Sequence, residues 1–184
     1  MHHDRALPDG RPIVNLQVGE LPEWVPLLDA ALDACAGSIV NVEVKNLLGD
    51  PDHDPSEAVA GAVAGLVVER GREARTVVSS FSLASIDATR AAEPGVPTAL
   101  LTLAGVDQRR ALDEAAGRGH GGLHPQHQAV TTELVDAAHR AGLAVRPWTV
   151  NEAGRLRELA DMGVDAVITD ALDAALDVLA PWRG

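Results

Sequence analysis

Short β-branched, apolar runs alternate along this chain with longer stretches whose apolar residues recur with helical periodicity. The expected strands are Ile39–Val44, Thr76–Ser79, Thr98–Leu103, Gly121–His124, Ala144–Thr149 and Asp165–Thr169. From the second run onward, successive runs begin 21 to 23 residues apart, which is typical of βα units in a parallel sheet. The pattern therefore predicts an α/β fold of about six parallel βα units.

The intervening segments predict helices, several of which begin with a capping residue such as Ser82 or Thr131. These helices are expected at Pro55–Glu73, Leu83–Ala92, Asp107–Ala116, Thr131–Ala141, Glu152–Met162 and Leu172–Leu179. The first forty residues differ, with a hairpin or loop at Asp9–Gly10 and a helix at about Leu27–Ala36. No linker interrupts the chain, so residues 1–184 are interpreted as a single domain.

Length and charge narrow the classes of function. The 184 residues are fewer than the roughly 250 of an eight-stranded (β/α) barrel, so a barrel of this kind would be incomplete. A net charge of −12 disfavours nucleic acid and anionic membranes as partners. Cys35 is the sole cysteine, and neither a signal peptide nor an apolar run of membrane-spanning length is visible. We expect a cytoplasmic protein.

Glu43 and Lys45 are the first candidates for chemistry. They lie two residues apart on an expected strand, so both should point to one face while Val42 and Val44 point to the other. On a barrel strand the shared face is the interior, where a carboxylate can hold a divalent cation and an ammonium can hold a phosphate oxygen. A structural ion pair is the alternative, and this pattern alone does not separate the two.

Three histidines near the fourth expected strand suggest a second kind of site. His120, His124 and His127 lie on a Gly-rich segment, with a spacing that is compatible with a transition-metal site at the strand end. Such a site would also need an open coordination position and supporting hydrogen bonds. The alternative is that His124 alone faces a binding cleft and that the other two are exposed to solvent.

Two strand ends carry a more specific signal. Trp148-Thr-Val-Asn151, followed by Gly163-Val-Asp and then Thr169-Asp170, resembles the C-terminal part of the glycerophosphodiester phosphodiesterase family. Asn41-Val-Glu-Val-Lys45 is similar to that family's Asn-Ile-Glu-Ile-Lys strand. The resemblance implies a TIM-barrel fold and a phosphoric diester hydrolase that releases an alcohol and glycerol phosphate.

The resemblance also implies roles for individual residues. Glu43 would be a metal ligand, for Ca²⁺ or Mg²⁺, and Lys45 would contact the phosphate. His3 precedes Asp4 as in the family's His-Asp pair, where the histidine is a general acid or base, with His2 as a competing alignment. The remaining substrate-binding candidates, at strand ends, are Phe81, His124 and Trp148.

The family's opening segments have no counterpart in these 184 residues. Members begin with His-Arg-Gly, then Pro-Glu-Asn-Thr, then a strand with Glu-x-Asp, and these supply further catalytic and metal-binding groups. We therefore expect a barrel truncated at its N-terminal side, with doubtful activity as an isolated chain and exposed sheet edges that a homo-oligomer would cover. The alternatives are a non-catalytic module that binds a phosphorylated alcohol, or a barrel completed by a partner.

Overall fold

The computed structural model describes residues 4–182, and their contacts separate residues 4–40 from residues 41–182. In the first unit, Leu7 donates its N–H to the Arg11 carbonyl at 2.9 Å, and Gly10 donates to the Leu7 carbonyl at 2.8 Å. This closes the turn expected at Asp9–Gly10, and Gly10 adopts the left-handed φ of +87° that such a turn favours. Helix α1, Leu28–Ala34, follows. The assignment of one domain to the whole chain stays a prediction.

The second unit alternates strands and helices as the sequence pattern predicts. Its strands are β1 (Val40–Glu43, which begins at the last residue of the first unit), β2 (Thr76–Ser80), β3 (Thr98–Thr102), β4 (Gly122–Pro125) and β5 (Ala144–Val145). Its helices are α2 (Ala58–Glu69), α3 (Leu83–Ala92), α4 (Gln108–Gly117), α5 (Thr132–Arg140), α6 (Ala153–Asp161) and α7 (Leu172–Val178). No helix within residues 4–182 is both long enough and apolar enough to cross a membrane.

The strands form one sheet in the order β1-β2-β3-β4-β5, with helices in the connections. Parallel pairing is seen between β2 and β3, β3 and β4, and β4 and β5. Within residues 4–182, β1 and β5 lie at opposite ends of this strand order. Connections of this length are what parallel neighbours require, and the α/β class is confirmed.

One face of the sheet carries the core against the helices. Leu100, Leu123 and Val145 are aligned by the register and pack in the main cluster with Ile86 of α3 and Leu112 of α4. On the β1 side, Val44 and Val78 join Ala60 and Val67 of α2 and Val96 in a second cluster. We call this side of the sheet the helix face. Burial of these side chains, at about 1.5–3 kcal/mol each, fixes which residues point the other way.

The sixth expected strand is not regular. The segment 165–169 still lies beside β5, because Asp165 donates its N–H to the Val145 carbonyl at 3.0 Å and Ile168 donates to the Pro147 carbonyl at 2.9 Å. However, the Val145 N–H donates to the Asp165 carboxylate at 2.7 Å. This N–H is therefore not available for backbone pairing with the segment 165–169. The expectation of six regular strands is therefore corrected to five, with a sixth, irregular segment in the sixth position.

Helix α2 is shorter than the expected Pro55–Glu73. The Asp54 carboxylate accepts hydrogen bonds from Ser56 and from the Ala58 N–H, so the helix begins after this turn. Glu57, between them, has a left-handed φ of +54°. Its carboxylate accepts a 2.7 Å bond from the buried Ser85 hydroxyl, which ties the start of α2 to α3.

Asn151 explains why two of the family-like motifs occur together. Its side-chain oxygen accepts hydrogen bonds from the Thr169 hydroxyl and the Asp170 N–H, and its amide donates to the Asp170 carboxylate, each at 3.0 Å. The asparagine of Trp-Thr-Val-Asn therefore holds the Thr-Asp segment that follows it. This side-chain link supports a segment that lacks regular strand pairing.

We expect Asn151→Ala to loosen segment 165–170 selectively. Loss of three hydrogen bonds at a partly solvated site should lower the free energy of unfolding by about 1–2 kcal/mol. Amide hydrogen exchange should accelerate at 165–170 and stay unchanged in β3 and β4. Asn15→Ala, in the first unit, serves as the control, and equal exchange at 165–170 in both variants would contradict this role.

Candidate active site on the open face of the sheet

The face opposite the helix layer collects the candidate residues. The register aligns Ser79 with Ala99, Ala99 with Gly122 and Gly122 with Ala144, and these residues alternate with those on the helix face. Leu101 and His124, two residues further along their strands, are aligned in the same way. We call this surface the site face, and its members include Asn41, Glu43, Ser79, Leu101, His124 and Arg146.

Glu43 and Lys45 lie on the site face, as strand alternation predicts. Both are exposed, whereas Val44 between them is 3% exposed and packs on the helix face. Asn41, two residues before Glu43, donates its side-chain amide to the Ser79 hydroxyl at 3.0 Å, which places both strands' side chains on one side. The metal and phosphate roles of Glu43 and Lys45 stay predictions.

Phe81 and Trp148 meet above the ends of β2 and β5. Their ring centroids are 5.5 Å apart and the rings are perpendicular, an edge-to-face arrangement that is favourable for aromatic pairs. Trp148 is further held by its indole N–H, which donates to the His124 carbonyl at 2.8 Å. Two residues that are 67 positions apart in the sequence thus form one aromatic pair. The substrate-binding roles of Phe81 and Trp148 stay predictions.

His124 lies in the same group of residues but is buried. Its side chain is 0% exposed, and Arg146 approaches its Nε2 at 3.4 Å through one guanidinium nitrogen. Burial and then the positive charge of Arg146 lower the pKa of His124 from 6.5 to about 3, so the ring is neutral. Its Nδ1 has no hydrogen-bond partner among residues 4–182. In this position His124 supports Arg146 rather than meeting solvent.

Sequence reasoning missed Arg146. Its N–H donates to the Leu123 carbonyl at 3.0 Å, and Trp148 donates in the same way to Pro125, so the pairing of β4 continues beyond β5. Residues 144, 146 and 148 therefore point to the site face together. The signal was present in the sequence, because Arg146 precedes Trp148 by two residues, which is the spacing that linked Glu43 to Lys45.

The three-histidine metal site is wrong. His120 lies before β4, where its Nδ1 is 2.8 Å from the Thr98 hydroxyl and its Nε2 is 3.1 Å from the Asp87 carboxylate. His124 is turned toward Arg146, and His127 belongs to a short 3-10 turn. His124 lies within β4, whereas His120 precedes that strand and His127 follows it, so the three side chains have different surroundings. The expectation that His120 is exposed is wrong as well, because it is 3% exposed.

The described residues do not fit a complete site for a divalent cation. Among residues 4–182, no group of three or more His, Cys, Asp or Glu side chains could hold a metal ion. Glu43 is the carboxylate that the site face provides, and Asp54 is engaged with Ser56 and Ala58. Ca²⁺ and Mg²⁺ require about six oxygen ligands, several of them waters for Mg²⁺. His3, the expected catalytic histidine, lies outside the described residues.

The site face is buried at its centre, where Ser79, Ala99 and His124 are 0% exposed, and exposed at Glu43 and Lys45. One cavity of about 390 Å³ lies near the start of β5, beside Gly121, His139 and Asp165. A second, of about 470 Å³, lies near the end of α7 and is lined by residues that include Val167, Leu179 and Trp182. Neither of these two cavities is lined by Glu43, Lys45, Phe81, His124 or Trp148, and the common pocket expected for these residues stays a prediction.

We expect the neutral, buried state of His124 to make stability depend on pH. Its native pKa lies below its unfolded value, so stability is fully present above pH 6.5 and is lost as pH falls toward 3. At pH 5 the imidazole is protonated in the unfolded chain but stays neutral in the native protein. This difference lowers the free energy of unfolding by up to about 2 kcal/mol at pH 5 relative to pH 8.

Urea unfolding at both pH values tests this. His124→Gln should have a lower free energy of unfolding than the unsubstituted protein at pH 8. Between pH 8 and pH 5, however, that free energy should fall less in the variant than in the unsubstituted protein. Thr102→Val, which removes a buried hydroxyl that bonds to Gln108 but no titrating group, is the matched control. A His124→Gln variant with the full pH dependence of the original chain would contradict the assignment.

Comparison with known proteins places this geometry in a family. Residues 3–174 match the model of the glycerophosphoryl diester phosphodiesterase family. A glycerophosphodiester phosphodiesterase from Bacillus altitudinis is 28% identical over 161 residues, which are 84% of this chain and 62% of that protein. A crystal structure of a putative glycerophosphoryl diester phosphodiesterase from Silicibacter pomeroyi is 34% identical, with a TM-score of 0.74, covering 85% of this chain and 57% of that one.

A third relative shows the fold alone. It is an Oleispira antarctica phosphodiesterase, solved in complex with the product sn-glycerol-3-phosphate, at 20% identity and a TM-score of 0.71 over 96% of this chain and 78% of that one. The TIM-barrel-like class is confirmed, whereas a closed barrel is not seen. This chain spans about three-fifths of the length of the first two relatives. It belongs to the glycerophosphoryl diester phosphodiesterase family.

Proposed function

We propose that this protein acts on glycerophosphodiesters, hydrolysing them to an alcohol and glycerol phosphate. The observation that carries the proposal is the site face, with Glu43 in β1, Lys45 just after it, and the aromatic pair Phe81 and Trp148 beyond the ends of β2 and β5. A carboxylate, a cation and an apolar wall match the parts of such a substrate. The product bound to the Oleispira antarctica protein supports the same chemistry.

Each residue has a proposed part in binding the substrate. Lys45 neutralises a phosphate oxygen, and Phe81 and Trp148 cover the carbon skeleton of the alcohol side. His124 holds this wall in place, since its carbonyl accepts the Trp148 indole N–H. His3 is proposed as the general acid or base that serves the leaving alkoxide. If the aromatic pair or Lys45 were displaced, the substrate would be positioned less well and the reaction would be slower.

The proposed cofactor is a divalent cation, Ca²⁺ or Mg²⁺, with Glu43 as a ligand. When bound, such an ion polarises a phosphoryl oxygen and stabilises developing charge. One carboxylate from the described residues leaves most coordination positions to other groups, so we propose that this chain holds the ion weakly.

We further propose that the protein works in the cytoplasm on a small-molecule substrate and associates with a second copy of itself. Nucleic acid and membrane are not proposed as partners. Support for self-association comes from apolar side chains left exposed on the helix layer, among them Leu172 at 61% and Val59 at 59%. Strands at the ends of an open sheet also favour pairing with another chain. Sedimentation velocity would test this, and a monomer at all concentrations would count against it.

We expect the 184-residue chain, assayed alone, to show little or no cation-dependent hydrolysis of glycerophosphocholine. The described residues lack a full set of metal ligands, and each missing electrostatic or acid-base contribution is worth about 10²–10³ in rate. Release of choline with Mg²⁺ or Ca²⁺ measures this directly. Turnover at rates typical of enzymes, abolished by chelator and by Glu43→Ala, would prove the expectation wrong.

A binding measurement tests the proposed site even if the chain does not catalyse the reaction. We expect sn-glycerol 3-phosphate to bind this chain and Lys45→Met to weaken its binding about tenfold, the loss of one charge-assisted hydrogen bond. Arg109→Met removes an equal charge from an exposed position on α4, which packs on the helix face, and is the matched control. Equal affinities of the two variants would contradict the proposed role of Lys45.

A further inference from the structure

The residue that follows Lys45 is polar and buried. Asn46 is 6% exposed, and it continues the alternation of β1, in which Val44 is buried and Lys45 is exposed. Asn46 therefore turns away from the site face that carries Lys45. Burial of an amide is costly unless its polar groups are hydrogen-bonded, so the partners of Asn46 indicate its role.

Asn46 bonds to both backbone groups of one residue, Asp54. Its side-chain amide donates to the Asp54 carbonyl at 2.8 Å, and its side-chain oxygen accepts the Asp54 N–H at 2.8 Å. The same oxygen lies 3.1 Å from Nδ1 of His53, and since this oxygen can only accept, Nδ1 is the donor. A side-chain amide offers a donor and an acceptor side by side, as a backbone partner would. This pairing closes the loop of residues 47–53.

The closed loop connects the end of β1 to the start of α2. The Asp54 carboxylate accepts the N–H of Ala58, the first residue of α2, at 3.1 Å. Glu57, just before this helix, accepts the buried Ser85 hydroxyl of α3 at 2.7 Å. Asn46 is therefore fixed to a segment that two helices hold in place.

Val44, on the other side of Lys45, is also fixed. Its N–H donates to the Ser79 carbonyl at 2.8 Å, and the buried Ser80 hydroxyl donates to its carbonyl at 2.7 Å. Its side chain packs in the cluster on the helix face. Lys45 thus lies between two buried residues, one held by β2 and the other by Asp54.

We propose that Asn46 is a positioning residue that fixes the backbone at Lys45 and so presents its ammonium group to the phosphate of the ligand. The inference rests on the proposed function, because it concerns the phosphate-binding role of Lys45. Without the bonds from Asn46 to Asp54, the loop of residues 47–53 would open, and Lys45 would be held from the β1 side alone. A ligand would then have to order this stretch of chain, and such ordering lowers affinity.

A double-mutant cycle tests whether Asn46 acts through Lys45. Isothermal titration of sn-glycerol 3-phosphate into the full 184-residue chain gives the affinity of each variant. We expect Asn46→Ala to weaken binding about fivefold, the cost of ordering one long side chain. In the Lys45→Met background, the same substitution should change the affinity by less than about twofold, because the group that Asn46 positions is gone. A residue that only stabilises the fold would not show this coupling.

A control variant separates positioning from general stability. Ser85→Ala removes a buried hydrogen bond from the same connection, beyond Asp54, and should lower the melting temperature without changing the affinity. Circular dichroism reports whether each variant is folded. If Asn46→Ala is unfolded, Asn46→Ser takes its place in the cycle, since its hydroxyl can keep one bond to Asp54, and the expected loss of affinity is smaller.

The outcomes distinguish this inference from the proposed function. If binding depends on Lys45 but Asn46→Ala has no effect, or has the same effect with and without Lys45, the positioning role is wrong and the proposed function stands. If sn-glycerol 3-phosphate does not bind, or binds equally well without Lys45, the proposed function is wrong and the role of Asn46 is wrong with it.

Discussion

The parallel register of β3, β4 and β5 is the constraint on which the rest of this structure depends. It aligns Leu100 with Leu123 and Leu101 with His124, so one row meets the helices and the adjacent row points to the opposite face of the sheet. A slip of one residue would exchange the two rows and expose the core, which makes the register expensive to change. Hydrophobic burial on the helix face therefore positions the polar groups on the site face, although these contribute little to the core themselves.

This coupling explains why side chains from distant parts of the sequence come together. Each carries out its proposed role at the C-terminal side of a strand, where parallel sheets of this class place their binding residues. Trp148 reaches Phe81 because backbone pairing continues from β5 through Arg146 to Trp148, beyond the regular strand. Asn151 then extends the order by side-chain bonds into segment 165–170. Where regular backbone pairing ends, side-chain hydrogen bonds stabilise the neighbouring segment instead.

Much of this could be predicted from the sequence. Period-two alternation was sufficient to place Glu43 and Lys45 on one face, and the spacing of apolar runs predicted the alternation of strands and helices. The irregular segment 165–169 could not be predicted, because the Asp165 carboxylate competes for a backbone N–H through a contact that no local pattern reveals. The burial of His120 and His124 was missed for a related reason. Their surroundings come from α3, β3 and β5, which are distant in sequence.

The central claim is that one face of the sheet binds a phosphorylated glycerol. The most direct measurement is a titration of ¹⁵N-labelled protein with sn-glycerol 3-phosphate, followed by two-dimensional amide spectra. The account predicts the largest shifts at Glu43 and Lys45, with small changes in α2, α4 and α5. Shifts confined to the helix layer, or to the cavity beside Val167 and Trp182, would contradict it.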